Sequence, residues 1–503
     1  MGILKNVLQY LENSAEKSPS KTAFTHEGEE ITFSELLTKS KALGTKIAKM
    51  NIKNSPVGVF VERSFETLIG FFGVLYSGNF YVPIDPKMPA QRMDIIFEKT
   101  QPALVIYTDK TKKNAEELSL PSMSYEADTE IDNNRLSDIR KKMLDTDPVY
   151  VIFTSGSTGV PKGIVVSHKC VVDFTEWMAD ACGVTSDDVM GNQAPFYFDC
   201  SVKDIYLTLK LGATTHIIPK KFFMMPLKLI EFLDEKKVTA LFWATSAFHL
   251  VASSGILSKK VPSYLKKVAP GGEAMLAKHL NVWKKALPQV KYTNLYGPTE
   301  ITVDCSFYPI EREFEDFEAI PIGKACDNKE ILLLDENLIP VKQGEPGEIC
   351  VRGTGVTFGY YNDPEKTKEA FILNPLNTKY PEIIYRTGDI GIEKEDGNIV
   401  FQARRDGQIK HMGYRIETGE IERAVNSFEM INTAACFFDK ENDRIVCAYE
   451  GECESAEILA HIKAIIPKYM FPNIFMKLEN MPYNANGKTD RPYLERIYYE
   501  KNK

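Results

Sequence analysis

A loop of small polar residues offers the first chemistry in this chain. Residues 154–163 (TSGSTGVPKG) follow directly on the apolar run 149–153 (VYVIF). Such a loop after a buried strand exposes backbone N–H groups and hydroxyls, and Lys162 adds a positive charge, as a polyphosphate ligand requires. The Walker A pattern G-x-x-x-x-G-K-[ST] does not fit the stretch. Taken alone, the loop predicts either a phosphate site or a flexible surface turn.

Further motifs follow in a fixed order and favour the phosphate site. They are FFGVLYSGNFYVPIDPKMPAQR (71–92), FDCSVKDIY (198–206), NLYGPTE (294–300), YRTGD (385–389), ARRDGQIKHMGYRIETGEIE (403–422) and NANGK (484–488). With the loop, they resemble the adenylate-forming superfamily of acyl-CoA synthetases, luciferases and nonribosomal peptide synthetase adenylation domains. The resemblance covers almost the whole chain. YVPIDPKMPAQR and RRDGQIKHMGYRIETGEIE are most similar to the amino-acid-adenylating branch, especially D-alanine:carrier-protein ligase.

The resemblance implies a reaction in two halves. A carboxylate attacks the α-phosphate of ATP, which gives an acyl-adenylate and pyrophosphate. The thiol of a carrier protein's phosphopantetheine then attacks the adenylate and releases AMP. Because the first half brings two anions together, cations must stabilise its transition state, and both ATP and Mg²⁺ are expected.

The same resemblance assigns roles to individual residues. Tyr296 is expected to stack on adenine, Asp389 to accept hydrogen bonds from the ribose hydroxyls, and Glu300 to bind Mg²⁺ through a hard carboxylate oxygen. As isolated residues, Glu300 would be a charge at a helix N-terminus and Asp389 a turn residue. The expected ATP-binding residues are Thr154, Ser155, Gly156, Ser157, Thr158, Gly159, Lys162, Gly272, Glu273, Asn294, Leu295, Tyr296, Gly297, Pro298, Thr299, Asp389, Phe401, Arg404 and Lys488.

Two cationic residues are expected to be catalytic. Lys488 matches the family lysine that bridges the substrate carboxylate and the α-phosphate, where its charge offsets developing negative charge. Arg404 is expected to support the ribose or α-phosphate side. The family rotates its small domain between the two half-reactions; Asp406 matches the hinge position, and residues 413–415 would then face the incoming thiol.

The pocket for the acid contains one discriminating carboxylate. In amino-acid-activating relatives, the Asp that matches Asp199 pairs with the α-ammonium group of the substrate. The substrates of relatives that activate fatty or aryl acids have no ammonium group, and a buried unpaired carboxylate at this position would cost free energy there. Asp199 therefore favours an amino acid. The expected substrate-binding residues are Asp199, Cys200, Lys203, Phe242, Ala269, Gly271, Leu295, Val303 and Asp304.

Three pocket positions depart from the D-alanine ligases. Those enzymes usually have apolar residues at the positions of Lys203 and Asp304, and Cys at that of Gly271. Lys203 and Asp304 either neutralise each other and leave a small neutral cavity, or Lys203 meets a polar or carboxylate side chain of the substrate, with Gly271 giving room. D-alanine therefore remains an alternative substrate.

The elements that position these residues alternate between strand and helix. Apolar runs at 57–61, 103–107, 149–153 and 214–218 predict buried strands. Helix patterns at 67–76 and 227–236, and a capping box from Thr32 to Glu35, lie between or before them. This alternation predicts an α/β fold with mostly parallel sheets covered by helices.

The pattern changes after about residue 320. Short strand-like pieces such as EILLLD, EICVRG and GNIVFQARR, separated by Gly-rich turns, predict an antiparallel, barrel-like subdomain. After Asp406, helix patterns at 419–428 and 456–466 and a strand pattern near 433–438 predict a small α+β domain. The expected division is residues 1–405 for the core that binds ATP and the amino acid, and 406–503 for a mobile domain that contains Lys488.

Composition excludes several other classes of protein. The 503 residues carry 61 Lys and Arg against 69 Asp and Glu, a net charge of −8 without long charge runs, which argues against nucleic-acid binding or attachment to a membrane surface. No apolar stretch is long enough to cross a bilayer. The nine scattered cysteines include no C-x-x-C pair, which indicates reduced thiols and a soluble, cytoplasmic protein.

The leading hypothesis is a stand-alone amino acid adenylating ligase. Because the sequence ends soon after Lys488, the carrier protein is expected to act in trans. An acyl-CoA synthetase acting on a carboxylate without an amino group is the alternative of the same class. A nucleotide-binding protein without activity is the alternative of a different class, although every catalytic position is filled.

Overall fold

The computed structural model describes residues 4–126, 130–155, 160–404, 408–482 and 489–501. The chain divides into two compact units. The large unit comprises Met1–Pro86, Gln101–Ile152 and Gly163–Ala403. The small unit comprises Lys87–Thr100, Phe153–Lys162 and Arg404–Lys503.

Strands and helices alternate in the first third of the chain, as predicted. The capping box is present, since Thr32 accepts a hydrogen bond from the Glu35 N–H and the Glu35 carboxylate accepts one from the Thr32 N–H. The elements are α1 (Leu8–Lys17), β1 (Thr22–His26), β2 (Glu29–Thr32), α2 (Phe33–Ala48), β3 (Pro56–Phe60), α3 (Phe65–Tyr76), β4 (Phe80–Ile84), α4 (Ala90–Thr100), β5 (Leu104–Tyr107), α5 (Lys112–Glu116), β6 (Ser122–Ser124), α6 (Asn133–Lys142), β7 (Pro148–Thr154) and β8 (Lys162–Ser167).

Strands β3 to β8 form a six-stranded sheet in the order β6-β5-β3-β4-β7-β8. The β3–β4, β3–β5, β4–β7 and β5–β6 pairs are parallel. Every residue of β3 and β4 is buried, because the sheet is covered on both faces. The prediction of a mostly parallel, helix-covered sheet is confirmed here.

A second sheet contains nine strands in the order β15-β14-β13-β12-β11-β9-β10-β1-β2. Its centre is parallel, and β2, β14 and β15 pair antiparallel at its two edges. The elements that complete it are α7 (His168–Ala181), β9 (Val189–Asn192), α8 (Ser201–Leu211), β10 (Thr214–Ile217), α9 (Pro226–Glu235), β11 (Ala240–Leu241), α10 (Thr245–Ser253), β12 (Lys267–Val268), α11 (Ala277–Ala286), β13 (Lys291–Tyr296), β14 (Ser306–Pro309) and β15 (Lys324–Ala325).

The remaining elements of the large unit form an antiparallel sheet, which confirms the predicted change after residue 320. Its strands run in the order β16-β17-β19-β18, and β20 pairs with β19. They are β16 (Lys329–Leu334), β17 (Pro346–Gly353), α12 (Pro364–Ala370), β18 (Phe371–Leu373), β19 (Ile383–Glu393) and β20 (Ile399–Arg404).

The small unit contains a two-stranded and a three-stranded sheet with helices, as its α+β pattern predicts. The second predicted helix ends at Ile462 rather than at residue 466, because Pro467 disfavours helical backbone just before it. In the same unit, Arg92 of α4 forms a buried ion pair with Glu420. The elements are β21 (Gln408–His411), β22 (Tyr414–Glu417), α13 (Thr418–Asn426), β23 (Ile431–Asp439), β24 (Arg444–Gly451), α14 (Ser455–Ile462), β25 (Ile474–Leu478) and α15 (Arg491–Lys501).

Two composition-based expectations concern the whole chain. None of the nine cysteines forms a disulfide, and seven of them are buried, as the absence of paired spacing predicts. Within the described residues, no helix combines the length and the apolar character that a membrane span requires.

Candidate active site

The predicted pocket residues lie at one edge of the nine-stranded sheet. Phe242 and Ala269 directly follow the parallel neighbours β11 and β12, and the Ala269 N–H donates to the Leu241 carbonyl at 2.9 Å. Gly271 bridges to Leu295, the penultimate residue of β13. Because the carboxyl ends of parallel strands meet at one edge, this sheet places these residues side by side, where α/β sheets commonly bind ligands.

A buried ion pair lies at the same edge. Lys203 Nζ is 3.0 Å from Asp304 Oδ2, and the two side chains are 0% and 2% exposed. Burial is the largest single influence and lowers the pKa of Lys203, but the charge of Asp304, the hydrogen bond to it and the nearby Cys200 and Asp199 together outweigh burial and raise the pKa above its usual value. Lys203 therefore stays charged. Asp199, which is partly exposed and lies two residues before α8, acts electrostatically on the same lysine.

Gly271 provides the space for the Lys203 ammonium group. A Cβ atom at position 271 would lie 3.2 Å from Lys203 Nζ and 3.0 Å from the Leu295 Cβ, tighter than ordinary van der Waals contact. The room that the missing side chain leaves is thus next to Lys203. The two departures from the D-alanine ligase pattern, Lys203 and Gly271, are therefore neighbours in this pocket.

Residues 302 and 303 form a strained turn between Glu300 and Asp304. Thr302 and Val303 have φ angles of 60° and 71°, a conformation that β-branched residues rarely adopt. Thr302 Oγ1 donates to the Gly355 carbonyl at 2.8 Å, and the Cys305 N–H donates to the Tyr296 carbonyl at 2.7 Å. Such strain persists only where surrounding contacts fix it, and it is concentrated at functional sites.

Glu300 precedes this turn and is fully buried. Its Oε1 accepts a hydrogen bond from Tyr360 Oη at 2.8 Å, and its carbonyl accepts one from the Thr357 N–H at 3.0 Å. Among the described residues, no three His, Cys, Asp or Glu side chains form a group that could hold a metal ion. A single oriented carboxylate fits Mg²⁺, which usually binds one or two carboxylates together with substrate phosphates.

The residues expected around adenine and ribose are close together in the large unit. Tyr296 Oη donates to Asp389 Oδ2 at 2.5 Å. Asn294 Nδ2 donates to the Pro321 carbonyl at 2.8 Å, whereas its buried Oδ1 has no hydrogen-bond partner among the described residues. A buried acceptor without a partner costs free energy. An exocyclic amino group such as that of adenine would satisfy it.

Residues 154–162 of the predicted phosphate loop belong to the small unit, and residue 163 belongs to the large unit. Thr154 ends β7, and its Oγ1 is buried without a hydrogen-bond partner among the described residues, as a phosphate-binding hydroxyl would be before its ligand binds. Ser155 Oγ donates to the Arg415 carbonyl. Lys162 begins β8. Four predicted loop residues lie outside the described part: Gly156, Ser157, Thr158 and Gly159.

The remaining predicted residues are distributed as follows. Gly272 has a φ of 98°, which favours glycine, and the Glu273 carbonyl accepts a hydrogen bond from Thr245 Oγ1 at 3.3 Å. Pro298 and Thr299 are buried, Cys200 is partly exposed, and Phe401 is partly buried on β20. A Cβ atom at Gly297 would lie 2.5 Å from the Asp304 Cα. Arg404 ends β20, whereas Asp406 and Lys488 lie outside the described residues.

A polar network beside Lys203 has no counterpart in the sequence prediction. Asn192 Nδ2 donates to Asp204 Oδ2 at 2.8 Å, and Arg63 donates to the carbonyls of Asn192 and Gln193 at 3.1 and 2.7 Å. Burial raises the pKa of Asp204 to about 7, although Asn192 and the charges of Lys203 and Arg63 oppose this. Asp204 was part of a recognised motif, but only its adjacency to Lys203 hinted at a role. Tyr360 was missed too, since no spacing pattern links it to Glu300.

Comparison with known proteins identifies the family of the chain. The family "AMP-binding enzyme" matches residues 11–361. The chain is 33% identical to zwittermicin A synthase ZmaJ of Bacillus cereus, over 97% of this chain and 94% of that protein. It is also 33% identical to bacitracin synthase 1 of Bacillus licheniformis, over 97% of this chain but only 9% of that protein.

A solved structure shows the same fold. Holo-PA1221, a nonribosomal peptide synthetase protein containing adenylation and PCP domains, superposes with a TM-score of 0.82 at 23% identity, covering 98% of this chain and 84% of that one. The fold, the family match and the identity over 94% of the length of a relative agree with the predicted superfamily. The chain belongs to the AMP-binding enzyme family of adenylate-forming ligases, whose relatives here are nonribosomal peptide synthetase adenylation domains.

Proposed function

We propose that the protein uses ATP to convert an amino acid into aminoacyl-AMP and pyrophosphate, and then transfers the aminoacyl group to the phosphopantetheine thiol of a separate carrier protein. One observation carries the choice of an amino acid. Asp199 acts electrostatically on Lys203, which lies against Asp304 in a buried ion pair at the same pocket edge. A carboxylate at this edge suits the α-ammonium group of an amino acid better than the tail of a fatty or aryl acid.

The ion pair also bears on the side chain of the amino acid. Because the Lys203 ammonium is next to Asp304 and Gly271, it is already neutralised, and the room at Gly271 adjoins the lysine. We therefore propose a substrate whose side chain is small and carries no net charge, a class that includes D-alanine. Cys200, Phe242, Ala269, Leu295 and Val303 would line the rest of this cavity.

The first half-reaction needs cations around the phosphates. Thr154, Ser155, Lys162 and the loop residues between them would bind the β- and γ-phosphates, and Arg404 and Lys488 would face the α-phosphate and the substrate carboxylate. Glu300 would hold Mg²⁺, which when bound neutralises negative charge on the phosphate oxygens. Tyr360 orients that carboxylate.

The second half-reaction requires different residues around the adenylate from those of the first. We propose that residues 406–503 form a mobile domain that turns about Asp406, moves Lys488 away and lets residues 413–415 receive the thiol. A closed site would keep water from the hydrolysable adenylate.

The carrier protein is proposed to be a separate chain. What supports this is that the chain matches ZmaJ over 94% of the length of that protein. The nine cysteines without disulfides favour a reducing compartment, so we place the reaction in the cytoplasm.

The experiment that tests both halves uses purified protein, Mg²⁺-ATP, a panel of amino acids and a phosphopantetheinylated carrier protein. Hydroxylamine trapping of the adenylate and a mass increase on the carrier are the expected results, and Lys488→Ala should abolish the first. If no amino acid yields a hydroxamate, or if Lys488→Ala forms adenylate at the normal rate, the corresponding assignment is wrong.

A further inference from the structure

The resemblance assigns Tyr296 to stacking on adenine, but its hydroxyl has a separate contact. Tyr296 Oη donates to Asp389 Oδ2 at 2.5 Å, across 93 positions of sequence. The two side chains are 7% and 3% exposed. We infer that Tyr296 is the positioning residue for Asp389, and that through this contact it determines how strongly the enzyme prefers nucleotides with both ribose hydroxyls. The inference rests on the proposed binding of ATP at this site.

Both ends of the hydrogen bond are anchored through the backbone. Tyr296 ends β13, and its carbonyl accepts from the Cys305 N–H at 2.7 Å. The Asp389 N–H donates to Thr387 Oγ1 at 2.9 Å, and that hydroxyl donates to the Ile349 carbonyl at 2.8 Å. The backbones thus fix where the side chains start. Rotation of the Asp389 carboxylate about Cβ–Cγ is what the phenol hydroxyl controls.

The protonation state of Tyr296 suits this role. Burial, with the Asp389 carboxylate as the next cause, raises the pKa of Tyr296 well above its usual value, so the phenol stays a donor. A carboxylate has about four acceptor positions on its two oxygens. The hydrogen bond from Tyr296 occupies one of these positions and constrains the plane of the carboxylate, which sets the direction from which the group meets a ligand hydroxyl.

Orientation matters because hydrogen bonds weaken steeply as their angles depart from linear. A carboxylate that rotates would bind a ribose hydroxyl with lower average strength, while stacking on the aromatic ring would be unaffected. Loss of the Tyr296 hydroxyl should therefore reduce affinity for ATP more than affinity for nucleotides that lack a ribose hydroxyl.

The test measures dissociation constants of ATP, 2′-deoxy-ATP and 3′-deoxy-ATP by calorimetry on the full-length protein, and the KM and kcat of each in pyrophosphate exchange. The wild type should prefer ATP over at least one deoxynucleotide by about tenfold, the strength of one charge-assisted hydrogen bond. Tyr296→Phe should lower that ratio at least threefold, with a larger effect on KM than on kcat. Tyr292→Phe is the matched control: it removes a buried hydroxyl from the same strand, one that donates to the Trp283 and Leu287 carbonyls instead.

Two further variants keep the test decisive. Asp389→Asn should remove the preference, and adding Tyr296→Phe to it should change the ratio no further. Thr387→Val, which removes the acceptor of the Asp389 N–H, should also lower the ratio, and it serves if Tyr296→Phe does not fold. A Tyr296→Phe protein that keeps the wild-type ratio would overturn the inference alone. Wild-type protein that does not bind ATP would overturn the proposed function, and this inference with it.

Discussion

Lys203 Nζ lies 3.0 Å from Asp304 Oδ2, and both side chains are buried at the pocket edge. Removing two charges from water costs several kcal/mol per ion, and their attraction recovers this only partly. A pair of apolar residues would serve packing better. We therefore attribute the pair to the proposed pocket, where it would provide a polar wall without net charge beside the substrate.

Replacing only one partner of this pair should be strongly destabilising. Lys203→Met leaves the Asp304 carboxylate buried without its cation, and we expect a loss of about 3–5 kcal/mol in the free energy of unfolding. Lys203→Met with Asp304→Leu should recover most of it. Urea denaturation measures both. Lys49→Met, which breaks the exposed Lys49–Glu130 pair, is the control and should cost under about 1 kcal/mol. Additive effects of the two single replacements would contradict this account.

Gly271→Cys should disturb Lys203 rather than simply narrow the pocket. The new Cβ would lie 3.2 Å from Lys203 Nζ, so we expect a destabilisation of about 1–3 kcal/mol from overpacking. In a Lys203→Ala background the same substitution should cost less, because the ammonium is gone. Thermal unfolding of the four proteins gives the coupling energy between the two positions. A coupling energy near zero would show that Gly271 does not serve to accommodate the lysine.

Tyr360→Phe should weaken Mg²⁺ binding at the proposed Glu300 site while leaving the rest of the fold intact. The hydroxyl that orients Glu300 Oε1 is lost, and we expect the Mg²⁺ concentration for half-maximal pyrophosphate exchange to rise about three- to tenfold. Glu300→Gln should raise it further. The adjacent Tyr361→Phe is the matched control. Unchanged Mg²⁺ dependence in Tyr360→Phe would mean that the hydroxyl does not orient a metal ligand.

Asp204 should give the protein a distinct pH dependence. Burial raises its pKa to about 7, above the value of about 3.9 in an unfolded chain, so the folded protein binds more protons between these values. Its stability contribution therefore falls as pH rises from about 4 to about 7. Asp204→Asn should flatten this slope. The difference in the free energy of unfolding between the variant and the wild type should shift in favour of the variant by roughly 2–4 kcal/mol between pH 4 and pH 8. The exposed Asp187→Asn is the control, and a variant slope equal to that of the wild type would refute the prediction.

Motifs and periodicity predicted the sheets well, because both depend on residues close in sequence. Phe242 and Ala269 were carried over from the resemblance, and the structure places them at the ends of neighbouring strands. The contacts between side chains within the site were harder to predict from the sequence. The Lys203–Asp304 pair was one of two alternatives in the sequence, since composition shows that charges are present but not which of them meet. Tyr360 and Glu300 are brought together only by packing of distant segments, and neither residue has a local signal of the other.

The most direct test of the central claim is a pyrophosphate-exchange panel in which each L- and D-amino acid is paired with the same carboxylic acid lacking the amino group. We predict exchange with small, uncharged amino acids at least about 100-fold above their partners, and loss of this selectivity in Asp199→Asn. Exchange driven equally well by fatty or aryl acids, or an Asp199→Asn variant with wild-type selectivity, would contradict the assignment of this protein as an amino acid adenylating ligase.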